Sequence, residues 1–301
     1  MPSPKEHLLK AIELDPGFAD AWYQLALILL REGVRELAAE HLSKVLELDA
    51  DHASARLRLA TLQTELGQPG PARAQFEILL ENDPRDSRAH YHLGLLALQL
   101  GNSHDALYHL EKTSSLNPDN ADAHYRLGLL HDSPEDFEKA RFYLQSTVDF
   151  DPTHVEGHFQ LGLHLRRGRR YDESGNLVNG GFDIEAREWF ETTICLDPSH
   201  AAAHEELARL FAKTGETGAA QDSFTSSIQN APSRITAYLG LANLQAPDVA
   251  IQTCAEALNQ DAAHPAVHLR KALFHLANKE TSDARHHFEQ AAENAIERIR
   301  A

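Results

Sequence analysis

Cysteine is nearly absent, with Cys195 and Cys254 the only two in 301 residues. A disulfide framework is thereby excluded, and both thiols are expected as small buried apolar groups. Sixteen Gly and thirteen Pro are far too few for a collagen-like chain. Long apolar runs are missing too. The longest is Leu25 to Leu30, against the ~20 residues a helix needs to cross a bilayer. Met1 to His7 hold no apolar core of a secretory signal. The expectation is a chain without membrane insertion, cytoplasmic by default. Positive charge is scarce: 28 Lys and Arg stand against 45 Asp and Glu, a net charge of −17. That balance argues against nucleic acid or an anionic lipid surface as the main partner, and favours basic or apolar ones. What remains, 42% apolar and 24% charged residues, suits a folded chain rather than a disordered one.

Catalytic motifs are missing as well. There is no glycine-rich phosphate loop, zinc-protease motif or nucleophile elbow. His204-Glu205-Glu206-Leu207-Ala208 shares only the first two residues of the zinc-protease pattern. The chain is therefore read as no enzyme, with no cofactor.

The strongest positive signal is a repeat. Asp15, Asp49, Asp83, Asn117 and Asp151 follow one another at steps of 34 residues, and all but Asp49 precede Pro. The next step, to Asp197-Pro198, is 46; Ala231-Pro232 follows after 34, and Asp261 after 30. Early in each unit stand Trp22-x-x-Leu25-Ala26, Arg56-x-x-Leu59-Ala60, His90-x-x-Leu93-Gly94, His124-x-x-Leu127-Gly128, His158-x-x-Leu161-Gly162, His204-x-x-Leu207-Ala208 and Tyr238-x-x-Leu241-Ala242. The eighth, His268-x-x-Lys271-Ala272, departs at the Leu position. Later come Ala38-x3-Leu42, Ala72-x3-Phe76, Ala106-x3-Leu110 and their successors as far as Ala284-x3-Phe288. Period and pattern resemble the tetratricopeptide repeat family over nearly the whole length. The resemblance implies an all-α, right-handed α-solenoid of tandem helix-turn-helix repeats, each too small to bury its apolar face without its neighbours.

The expected division gives residues 1–14 as the second helix of a truncated leading repeat. Eight repeats fill 15–301, at about 18–50, 52–84, 86–118, 120–152, 154–198, 200–232, 234–262 and 264–301. The fifth carries a 12-residue insertion at about 168–183, and the seventh is shortened by four residues near Gln245-Ala246-Pro247-Asp248. Ser-Gly-Asn and Asn-Gly-Gly flank Leu177-Val178 in the insertion, as a small hairpin or an ordered loop would require. Arg169, Arg170, Tyr171 and Phe182 are its candidate contact residues. Asp172, Ser174, Asn176 and Asp183 only loosely follow a calcium loop: Leu177 stands where Gly is required. In the shortened repeat either the turn is tight or the first helix ends early, at Ala246.

Histidine numbers 19. His90, His124, His158, His204 and His268 take the place where the resembling family often has Trp, and are expected as partly buried packing residues. His154/His158, His200/His204 and His264/His268 are i,i+4 pairs that could face one metal. No further ligand completes a site, so no metal is expected. Joint protonation of the imidazoles toward the sequence pI of about 5.5 is expected to reduce solubility or alter self-association.

The resemblance places the first helices along a concave groove. Tyr23, Tyr91, Tyr125 and Phe159 form an aromatic ladder there, with Arg58, His92, Arg126, Arg166 and Arg167 as polar contacts for an extended peptide. Neither a dicarboxylate clamp nor an Asn ladder is evident. The leading expectation is a non-catalytic scaffold for a protein or peptide partner. The alternatives are head-to-tail self-assembly through uncapped repeat ends, and the targeting arm of a larger enzyme.

Overall fold

The computed structural model describes residues 3–131, 133–168, 170, 171, 177, 178 and 182–300, in two units, Met1–Phe150 and Asp151–Ala301. The first holds α1 (Pro4–Leu14), α2 (Ala19–Arg31), α3 (Arg35–Leu48), α4 (Ala53–Glu65), α5 (Pro69–Asn82), α6 (Ser87–Gln99), α7 (Ser103–Leu116), α8 (Ala121–Leu130), a single 3-10 turn (Pro134–Asp136) and α9 (Phe137–Phe150). The second holds α10 (Val155–Arg167), β1 (Arg170–Tyr171), β2 (Leu177–Val178), α11 (Asp183–Leu196), α12 (Ala201–Thr214), α13 (Thr217–Asn230), α14 (Ile235–Ala242), α15 (Pro247–Gln260), α16 (Pro265–Ala277) and α17 (Thr281–Arg300). Within each unit, helix hairpins such as α2/α3 and α12/α13 stack on their successors. This is the all-α solenoid the repeat predicts.

The core follows from helical spacing. Leu25 and Leu29 of α2 lie one turn apart and meet Ala38, Leu42 and Val45 of α3 and Leu59 of α4. Each fully buried Leu contributes about 2 kcal/mol of apolar burial, and it does so only when the next hairpin covers it. The Ala/Gly position after each Leu sets how closely the helices approach. A Cβ on Gly94 would stand 2.8 Å from the Leu110 side chain.

The recurring Asp ends one helix rather than capping the next. Asp15, Asp83, Asp151 and Asp197 accept the backbone N–H two residues on, at 2.9–3.0 Å. Such Asx-turns stop the preceding helix. The N-cap is the third residue after the Asp. It is a conventional carboxylate or amide at Asp86 and Asn120, and an imidazole at His52, His154 and His200. Between the helices of a hairpin, Gly33, Gly67, Gly101 and Gly215 take φ of 70–84°, and Lys279 does so at 64° in the last one. Only Gly adopts that conformation without strain.

The irregular units break where the sequence changes. α14 ends at Ala242, four residues before the expected Ala246, and Pro247 opens α15. α8 is short as well, because Ser133-Pro134 starts the 3-10 turn, with Ser133 Oγ accepting the Asp136 N–H at 3.2 Å. In the insertion β1 and β2 pair antiparallel, Arg170 with Val178 and Tyr171 with Leu177. Arg169 and the loose calcium-loop residues Asp172, Ser174 and Asn176 lie outside the described residues; Asp183 begins α11 and accepts from Lys213 Nζ at 2.5 Å. The expectation of two buried thiols needs correction. Cys254 is buried, and burial pushes its thiol up to about 11, but Cys195 is exposed near the C-terminus of α11. Among the described residues no helix is long and apolar enough to cross a membrane.

Candidate functional site

The Trp-like position explains the histidines. Trp22 Nε1–H donates to the Pro16 carbonyl at 3.0 Å. His90, His124, His158, His204 and His268 bring Nε2 to the carbonyl of the residue six before, at 2.8–3.3 Å. A carbonyl only accepts, so Nε2 carries the proton and the ring reproduces the indole bond. Most i,i+4 pairs split their labour accordingly. His154 and His200 accept the N–H of Gly157 and Ala203 as N-caps (2.8 and 3.0 Å), while His158 and His204 donate to carbonyls. Nδ1 of His90 and of His268 face Nδ1 of His109 and His287 at 3.0 and 3.1 Å. Burial, followed by the neighbouring charges, lowers His109 and His287 to about 4.

In the first unit α2, α4 and α6 stand side by side around a cavity of about 530 Å³. Tyr23, Leu57, Arg58, Thr61, Arg88 and His92 line it, together with Arg35 and Glu65. Arg35 pairs with Glu65 at 3.1 Å. Arg88 forks onto Asp86, which is 8% exposed and also caps α6. Burial raises that carboxyl, but the bonds from Arg88 and Ala89 and the Arg88 charge outweigh it, and the net shift is downward. His92 stacks parallel on Phe76 at 5.4 Å, and burial first, then Arg88 against the pull of Asp86, keeps it below the usual imidazole range. Arg58 is different. Its Nε donates to the Tyr23 hydroxyl at 3.0 Å, and no carboxylate among the described residues pairs with it. Arg31, exposed, shares a smaller adjoining cavity of about 240 Å³ with Arg58. The site can therefore take an anionic group beside a phenol.

Other expected contacts are already engaged. The Tyr91 hydroxyl donates to Asp122, which also receives Arg126 Nε at 3.2 Å. Burial and that bond raise the Tyr91 hydroxyl above its ordinary range. The Arg126 guanidinium lies 5.8 Å from the Tyr125 ring. In the second unit Phe159 is a packing residue rather than an open anchor: it is 8% exposed, against His200 at 4.5 Å and Phe190 at 5.8 Å. Arg166 meets Glu206 at 2.7 Å. Arg209 reaches both Glu205 and Glu206, and Arg234 reaches Glu205 at 2.6 Å. Arg167 is exposed in the last turn of α10, and Phe182 precedes α11. Of the insertion residues, Arg170 and Tyr171 form β1.

Sequence reasoning missed Arg88 and Arg35. Arg88 lies four residues before His92, hence on the same helix face, a signal that was legible. Arg35 follows the turn and reaches the cavity only because α3 packs back on α2. For a metal, His275, Glu280 and Asp283 place three ligand-capable atoms within 4.8 Å across the α16–α17 turn. His275 Nδ1 already sits 2.5 Å from Glu280 there.

Models of the tetratricopeptide repeat match residues 7–38, 29–96 and 94–154. No protein of curated function matches the chain by sequence. Among solved structures, YrrB, described as a TPR protein with an unusual peptide-binding site, is 25% identical, with a TM-score of 0.54 over 66% of this chain and 96% of its own. MamA residues 41 to the end from Desulfovibrio magneticus RS-1 are 25% identical, at 0.50 over 60% and 96%. PilF of Pseudomonas aeruginosa, 19% identical, shares the fold at 0.62 over 75% and 97%. Repeats of this kind are in general non-catalytic protein-interaction modules. With the repeat matched by these models and the same hairpin recurring in both units, the chain belongs to the tetratricopeptide repeat family.

Proposed function

We propose that the chain is a non-catalytic scaffold that holds an extended segment of a protein partner along α2, α4 and α6, with an acidic group of that segment at Arg58. The observation that carries this is Arg58 itself: a guanidinium oriented by Tyr23 in a cavity of about 530 Å³, without a carboxylate partner among the described residues. The chain's net charge is −17, and an acidic ligand supplies the carboxylate that Arg58 lacks. Arg88 and His92 add polar contacts, and Leu57 an apolar wall. Arg recognises carboxylates through paired, directional N–H bonds. The peptide-binding site of YrrB, at 25% identity, supports the class of ligand but not its sequence.

The test is selection of displayed random peptides on the intact chain. Enriched peptides are expected to carry Asp or Glu, and Arg58→Glu to weaken them about ten-fold or more. Peptides enriched without acidic residues, or indifferent to Arg58→Glu, would remove this reading. Tyr91→Ala with Tyr125→Ala asks whether the segment continues onto α8; undiminished binding would confine it to α2, α4 and α6.

A further inference from the structure

A second cavity, of about 440 Å³, opens among α7, α8 and α9. His124 lies on its wall, with Phe142, Tyr143, Phe150, Ser146 and Asp149 around it. Its rings are unusually open: Phe142 is 63% exposed and Phe150 46%. Phe150 stacks on His124 at 5.5 Å, and Tyr143 lies 5.9 Å from it. Aromatic faces carry negative potential and attract cations.

Three further features point to positive charge. Asp149 is exposed, takes a hydrogen bond from Gln145 at 3.0 Å, and has no cation paired with it among the described residues. The carbonyl ends of α7 and α9 both lie here, and neither helix has a basic residue in its last turn; helix C-termini favour cations. His124 is 6% exposed and donates from Nε2 to Pro118, so its Nδ1 is an acceptor, and that Nδ1 has no partner. In His90 and His268 the same atom faces a second imidazole. Tyr143 holds that place beside His124, and presents a ring. The lysines of α7 and α9 are engaged elsewhere, Lys112 over Tyr108 at 5.8 Å and Lys139 on Asp136 at 3.1 Å.

We propose that this pocket receives an arginine side chain of a partner segment, stacked between Phe142 and Phe150. In that pose the guanidinium pairs with Asp149 and, as Phe150 swings off the imidazole, one N–H reaches His124 Nδ1. The site stands apart from Arg58 and takes the opposite charge. A planar guanidinium suits two ring faces and two separated acceptors better than a point-like ammonium.

The experiment titrates the full chain with Ac-Gly-Arg-Gly-NH2, and with the same peptide carrying citrulline or norleucine in place of arginine, followed by NMR of the His124 ring and the α9 amides. Millimolar binding is expected for the arginine peptide, at least about five-fold weaker for citrulline, the scale of one cation–π contact, and none for norleucine. Phe150→Ala and Asp149→Asn, both at exposed positions, should each weaken it without lowering the melting temperature; Arg58→Ala should leave it unchanged. Equal affinity for arginine and citrulline, shifts confined to other residues, or no binding at all would overturn the proposal.

Discussion

The two units use one register position in opposite ways. Two residues after the Trp-like site, α4 carries Arg58 and α12 carries Glu206. In the first unit the cation meets the Tyr23 hydroxyl and no carboxylate among the described residues. In the second, Glu205 and Glu206, 0% and 7% exposed, are closed over by Arg166, Arg209 and Arg234. One register position of the repeat thus carries a cation without a carboxylate partner in one unit and a braced carboxylate in the other.

That contrast can be broken most forcefully in the second unit. Removing both arginines on Glu205, as Arg209→Ala with Arg234→Ala, leaves a buried carboxylate uncompensated and should cost about 3–5 kcal/mol in urea unfolding. A loss under about 1 kcal/mol would show that Glu205 is hydrated rather than braced. Next in size are the close helix approaches. A Cβ at Gly240 would stand 2.3 Å from the Phe224 ring, against 2.8 Å from the more flexible Leu110 at Gly94. Gly240→Ala should destabilise by about 1–3 kcal/mol. Gly94→Ala, aided by the helix propensity of Ala, should change stability by about 1 kcal/mol or less. Equal effects would mean that the two hairpins relax alike.

Arg58→Glu should reduce affinity for an acidic peptide about ten-fold while stability stays within about 0.5 kcal/mol, as for other exposed substitutions. The paired imidazoles, one set in each unit, sharpen the comparison by pH. His109 and His287 sit at about 4 in the folded chain, below the ordinary ~6.5 of the unfolded one. Their contribution is therefore complete above about pH 6.5 and is lost as pH falls from there toward 4. NMR should find both rings still neutral at about pH 5.5; rings titrating near 6.5 would contradict the buried pairing. The smallest effect lies in the last hairpin, where Lys279 holds φ of 64° and four other hairpins have Gly. Lys279→Gly should stabilise by about 1 kcal/mol in thermal unfolding; a loss would mean that the Lys279 side chain does more there than occupy a turn.

Much of this was legible in the residues. The 34-residue period and the small residue after each Leu depend on local chemistry, so helices and stacking could be read directly; the turn residues around Leu177-Val178 left a small hairpin and an ordered loop open, and the pairing of β1 with β2 decided it. The fate of Phe159 could not. Its repeat position matches that of Tyr91, yet its ring packs on His200 and Phe190, residues 41 and 31 positions away. Nor could Arg166 be told from Arg58. Both are arginines on first helices, and only the packing of α10 against α12 sets Glu206 beside one of them.

The sequence by itself determined the architecture, because helix periodicity, turn chemistry and the repeat length act over a few residues and recur in each hairpin. It also determined that a ring N–H, from Trp or His, would bind the carbonyl six residues before, since both groups lie within one helix and the turn that leads into it. Only the tertiary structure decided which charges are spent and which remain. Ion pairing and burial are set by side chains about one repeat apart, and their distances exist only once the hairpins have stacked.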